Sequence, residues 1–118
     1  MNTLIIKGEL TDLNTYIQKE RGNRYSGAST KRTNTDLVTL LCKSQKIKKI
    51  IGSVFITFRW YCKNKKKDKD NICFAKKFIL DGLVNAHVLK SDGWDSIEGF
   101  EDEFVIDTKN PRIEVEIV

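Results

Sequence analysis

Residues 52–87 read GSVFITFRWYC, then KNKKKDKD, then NICFAKKFILDGLVNAH. In the first piece Val54, Ile56, Phe58 and Trp60 alternate with Phe55, Thr57, Arg59 and Tyr61, so a strand over 52–62 has one wholly apolar face and one mixed face. In the third piece Ile72, Ala75, Ile79, Leu83 and Ala86 fall in one stripe at helical spacing. That stripe predicts an amphipathic helix over 70–87, with Asp70 or Asn71 at its cap and Gly82 as a local weakness. A strand, a charged link and a helix in this order form the middle of the domain.

Upstream, residues 4–10 are apolar-rich and closed by Thr11 and Asp12, which predicts a first strand and then a short capped helix through 17–20. Residues 21–27 are polar and hold Gly22 and Gly27, the composition of an exposed loop. A second helix is expected over 28–45, with Leu37, Val38, Leu40 and Leu41 on its inner face. Downstream, 93–99 reads as a turn, and 104–107 and 112–118 alternate as strands joined across Asn110-Pro111. The order βααβαββ indicates an α+β fold, a mixed or antiparallel sheet packed by helices. At 118 residues the chain suits a single domain spanning 1–118.

No apolar run approaches the roughly 20 residues that cross a bilayer. Residues 1–10 also lack the order of a secretion signal, so a cytoplasmic protein without membrane association is expected. Cys42, Cys62 and Cys73 are odd in number and widely spaced, which fits reduced core filler and no disulfide or zinc framework.

The net charge of +5 is unevenly spread. Residues 43–69 carry ten basic side chains against the single acid Asp68, while 92–118 carry nine acids against Lys109 and Arg112. A basic block attracts phosphate backbones by releasing their counterions, although a lysine run alone is more often a solvated loop.

The chemistry sits at Lys67-Asp68-Lys69-Asp70-Asn71. In an extended chain residues two apart point the same way, so Asp68 and Asp70 can present both carboxylates to one space. Such a pair repels itself unless a cation lies between, and oxygen donors suit Mg2+ or Mn2+. The plain alternative has Asp70 capping a helix while Asp68 offsets its lysine neighbours. On a continuous helix Asp70, Lys77 and Asp81 would share the face opposite the apolar stripe, with Lys76 nearer the stripe's edge. His87 reads as a helix-end residue, Trp60 as core, and Glu98, Glu101, Asp102 and Glu103 as a solvated connection. Trp94, beside Asp92, is the tryptophan better placed for a functional contact.

At these residues the chain resembles the RusA family of Holliday junction resolvases, endodeoxyribonucleases common in bacteriophages and prophages. The resemblance rests on Asp68-Lys69-Asp70-Asn71, Phe74-Ala75-Lys76-Lys77-Phe78-Ile79-Leu80-Asp81-Gly82-Leu83, Leu89-Lys90-Ser91-Asp92-Gly93-Trp94 and Asn110-Pro111-Arg112-Ile113-Glu114-Val115. It is strongest towards the branch found in phages of Gram-positive hosts, which implies a bacterial host cell. What it implies is a homodimer that uses divalent metal, Mg2+ or Mn2+, to nick opposed strands of a four-way DNA junction in recombination, repair or phage DNA processing.

By position, the family's metal-holding aspartates match Asp68, Asp70 and Asp92. Its helix lysine matches Lys77 counted back from Asp81-Gly82-Leu83. The link from Asn71 is a few residues longer than in the founding member, which leaves Lys76 as the alternative. Where the family often has an aspartate pair, this chain has Ser91-Asp92. Asn14, Arg21, Asn23 and Arg24 resemble a polar loop that reaches towards DNA. Of these, Asn14, Arg21 and Arg24 join Lys65, Lys66, Lys67, Lys69, Asn71 and Lys76 in the expected DNA-contacting set. Two other classes stay open: a protein that grips branched DNA without cutting it, and a phage factor that binds a protein through its acidic C-terminal third.

Overall fold

A computed structural model describes residues 2–118. Its sheet is built on β2 (Val54–Cys62), whose inward row Val54, Ile56, Phe58 and Trp60 is almost wholly buried, as the alternation dictates. β4 (Arg112–Ile117) pairs antiparallel with β2 on one side, and β1 (Asn2–Lys7) pairs antiparallel with β4 beyond it. β3 (Ile97–Ile106) runs parallel to β2 on its other side, so the order is β1-β4-β2-β3 and the sheet is mixed. Strands 104–107 and 112–118 were expected to be neighbours across Asn110-Pro111. Instead β2 lies between them, pairing parallel with β3 and antiparallel with β4, which satisfies the backbone N–H and C=O groups along both of its edges.

The inward faces of β1, β4 and β2 pack against helices through Leu4, Ile6, Ile113, Val115, Phe58 and Trp60. Ion pairs zip the opposite face: Arg59 meets Glu103 at 3.5 Å and Glu116 at 3.3 Å, and the Arg112 guanidinium lies 3.7 Å from the Tyr61 ring centre. The acids of 98–103 therefore belong to a strand, not to a solvated connection. Glu101 accepts from the Thr57 hydroxyl, and Asp102 turns inward beneath the helices.

Residues 21–27 do not form a loop. α1 (Leu13–Gly22) and α2 (Arg24–Ser44) are separated by Asn23 alone, which is extended and serves both ends. Its N–H closes α1 on the Lys19 carbonyl, and its side-chain oxygen accepts from the Tyr25 N–H at 2.7 Å. Gly27 allows the two helices to touch, since a Cβ there would stand 3.2 Å from Glu20. The buried face of α2 is Gly27, Asn34, Thr35, Val38 and Cys42, and Leu40 is 62 % exposed. Of the expected inner face, Val38 is buried and Leu41 packs against the core, while Leu37 and Leu40 are turned outward, because α2 packs chiefly between α4 and α1 through the narrower row that includes Gly27 and Val38.

The helix expected over 70–87 is two helices, α3 (Lys69–Cys73) and α4 (Lys76–Asn85). At the joint the bonds tighten to three-residue spacing, with Ala75 N–H on the Ile72 carbonyl and Lys77 N–H on the Phe74 carbonyl. The tightening turns Phe74 onto Tyr16 and Phe78, whose rings lie 5.4 and 5.5 Å away. Gly82, read as a weakness, is where α4 meets α2. A Cβ would sit 2.5 Å from Val38 Cβ, so the bare backbone is what permits the contact. All three cysteines are free; Cys42 is buried, which pushes its thiol up to about 11, while Cys62 and Cys73 are half-buried. No helix among the described residues is long and apolar enough to cross a membrane.

Candidate active site

Asp68 occupies the N-cap position of α3 with an extended backbone, yet its side chain makes no cap bond. Asp70, in the first turn, accepts from the neighbouring Asn71 N–H at 2.9 Å. Helix capping therefore does not account for the pair, and neither carboxylate enters an ion pair among the described residues. Both line a groove with Lys65, Lys67, Lys69 and, from β3, Phe104 and Ile106. Two exposed carboxylates in one groove are a donor set that suits a hard divalent cation.

The segment carrying them is tied down on both sides by the β1 to α1 connection. Lys67 Nζ lies 2.7 Å from Asp12 Oδ2 and 3.3 Å from Glu9 Oε2. On the far side the Asn14 N–H donates to Asn71 Oδ1 at 2.8 Å, and Asn71 is buried. Asp12 also caps α1 by accepting from the Thr15 N–H at 2.8 Å. Burial pushes the Asp12 carboxyl up, but the hydrogen bonds from Lys67 and Thr15 outweigh it and hold the carboxyl below its ordinary value. The Lys67 ammonium is correspondingly raised, chiefly by Asp12.

The two candidate lysines have different surroundings. Lys76 is mostly buried, with Nζ 2.6 Å from Asp102 Oδ2 and 4.1 Å from the Phe100 ring centre; Asp102 Oδ1 accepts in turn from Trp60 Nε1 at 2.9 Å. Its charge is committed to holding α4 on the sheet. Lys77 is half exposed, and its Nζ stands 3.1 Å from both Asp92 Oδ2 and Asp81 Oδ1. Lys77 holds Asp92 below the ordinary carboxylate value, and Asp92 and Asp81 together raise Lys77. The expected shared face of Lys77 and Asp81 is present, whereas the break before α4 takes Asp70 out of that helical register.

Asp92 is carried on a turn fixed by the Ser91 hydroxyl, which accepts from the Gly93 N–H at 3.2 Å and lies 3.0 Å from the Ser96 hydroxyl. The depression it faces is lined by Lys31, Arg32, Thr35, Asp36, Asp81 and Asn85, and is separate from the groove of Asp68 and Asp70. Among the described residues no three His, Cys, Asp or Glu side chains stand together as a metal-holding group.

Of the expected DNA contacts, Arg21, Arg24, Lys65 and Lys66 are exposed and enter no ion pair among the described residues. Lys69 lies over the Phe104 ring at 5.6 Å, and Lys67, Lys76, Asn14 and Asn71 have the internal partners just described. Trp94 is 97 % exposed beside Asp92, and His87 sits past the end of α4 with a positive φ of 62°.

Asp12 caps α1 as the sequence suggests, but sequence reasoning missed its ion pair with Lys67 and the inward placement of Asp102. The signal for Asp102 was present: Phe100, Asp102 and Phe104 fall on one face of a strand, which puts a single acid among aromatic residues.

A family model described as Endodeoxyribonuclease RusA matches residues 10–118. None of the curated proteins compared matches the chain.

Proposed function

The chain belongs to the RusA family of endodeoxyribonucleases, a family of Holliday junction resolving enzymes, and from that premise we propose that it nicks opposed strands of a four-way DNA junction in a Mg2+-dependent reaction as a homodimer. The observation that carries this reading is the 3.1 Å contact between Lys77 and Asp92. A lysine and an aspartate from two separate motifs meet, while the rival Lys76 is committed elsewhere.

In this reading Asp68 and Asp70 would hold the divalent ion, Mg2+ or Mn2+, and Asp92, which lines a separate depression beside Lys77, would serve as the third carboxylate only on approaching that groove. Such an ion supplies a water of lowered pKa and shields charge developing on the phosphate. The chain's own residues do the rest. Lys77, half exposed and held by two carboxylates, presents an ammonium to the phosphate and stabilises its charge. Asp12 and Asn71 keep the carboxylate segment from swinging away. Lys65, Lys66, Lys69, Arg21 and Arg24 contact backbone phosphates, which position DNA without reading its sequence.

The test is cleavage of a synthetic four-way junction in Mg2+, with EDTA as the control and Asp70→Asn beside the wild type. Paired nicks that disappear in both controls are expected. Undiminished cleavage by Asp70→Asn would remove that carboxylate from the mechanism. Junction binding with no cleavage in any divalent metal would instead favour a protein that grips branched DNA without cutting it.

A further inference from the structure

The depression that holds Asp92 has a basic wall of its own, apart from the lysines that line the groove of Asp68 and Asp70. Lys31 and Arg32 project from α2 along its rim, both exposed. Neither enters an ion pair among the described residues. The nearby acids do not neutralise them. Asp81 and Asp92 are both engaged by Lys77, and Asp36, one turn beyond Arg32, makes no ion pair with it.

Helical spacing extends this wall. Arg24, Ala28, Lys31 and Thr35 recur every three or four residues, so Arg24 lies two turns before Lys31 on the same face of α2. Ala28 lines the depression between them and keeps the approach open with its small side chain. Thr35 forms part of the depression as well. Its hydroxyl is the one buried side-chain polar atom with no hydrogen-bond partner among the described residues.

We propose that the α2 face formed by Arg24, Lys31 and Arg32 carries DNA backbone phosphates on the Asp92 side of the site. This deepens the junction-nuclease reading and rests on it. Three unpaired cations, Arg24 two turns before Lys31 and Arg32 next to it, form with the half-exposed Lys77 a track of positive charge. Phosphates are the partner such a track fits, because each one neutralised releases condensed counterions. Lys65, Lys66 and Lys69 would then serve the Asp68 and Asp70 side, and α2 the other. The backbone would be held on both flanks of the carboxylates.

The experiment is equilibrium binding of a labelled four-way junction in EDTA, so that no cleavage intervenes, over a salt series from about 50 to about 200 mM NaCl. It compares the wild type, Lys31→Gln/Arg32→Gln, and the charge-keeping Lys31→Arg/Arg32→Lys. Both positions are exposed, so equal melting temperatures are expected and establish that each variant is folded. The neutral variant should bind more weakly, with a slope of log K against log salt shallower by roughly 1.8, or about 0.9 for each lost phosphate contact. The charge-keeping variant should retain the wild-type slope. Wild-type binding with an unchanged slope in the neutral variant would overturn the α2 track alone. No wild-type binding at the lowest salt would overturn the junction-nuclease reading, and the track with it.

Discussion

Val38 and Gly82 meet where α2 crosses α4, and no Cβ fits between them. Gly82→Ala would gain up to about 1 kcal/mol in helix propensity. It would lose more by pushing a methyl into a stiff, fully buried valine, since overpacking costs about 1–3 kcal/mol. A lower urea midpoint is the expected outcome; a raised one would mean that α2 and α4 separate without penalty. Asp102 is a second sensitive residue. Asp102→Ala leaves the mostly buried Lys76 ammonium and the Trp60 indole N–H without their acceptor, at a cost of about 3 kcal/mol. The same substitution at Glu103, on the exposed face, should change stability by less than about 0.5 kcal/mol. Equal losses at the two sites in chemical denaturation would contradict the inward placement of Asp102.

Elements α1 and α3 are coupled through Asp12, Lys67, Asn14 and Asn71, and this coupling should depend on pH. The Asp12 carboxyl titrates lower in the folded chain than in the unfolded one, so its contribution is fully present above the ordinary aspartate value near 4. It is lost as the pH falls through the lowered folded value. Because Lys67 is partly exposed and screened, the contribution at neutral pH is about 1 kcal/mol. Asp12→Asn keeps the cap on α1 but removes the charge, so its stability should fall less steeply than the wild type between about pH 4 and pH 2. Parallel acid profiles would show that the ion pair contributes nothing.

How the elements read from sequence follows the same physics. The strand over 54–62 was legible because alternation with one apolar face has a single solution. The joint at Phe74 was not, because the apolar stripe continues across it and only the aromatic contact with Tyr16 explains the tighter turn. The helix start at Arg24 was hidden by glycines, whose purpose at Gly27 is close packing and not flexibility. In the site, spacing set Asp68 near Asp70 and Lys77 near Asp81, and the family resemblance supplied the reason to single them out with Asp92. The internal partners of Lys67, Asn14 and Asn71 depend on a long-range approach that spacing does not encode.

At the scale of the whole molecule the sheet has two edges, and the one formed by β3 is long and exposed. Near the middle of that strand stand Glu101, Asp102 and Glu103. If two copies aligned these strands head to tail through their backbones, acid would face acid at the centre of the new ladder. Like charges directly opposite one another disfavour such pairing. The edge thus carries its own protection against runaway strand addition, the first step towards fibrils. Glu101→Val/Glu103→Val should accordingly turn a monodisperse solution into one that scatters light and binds amyloid dyes on mild heating.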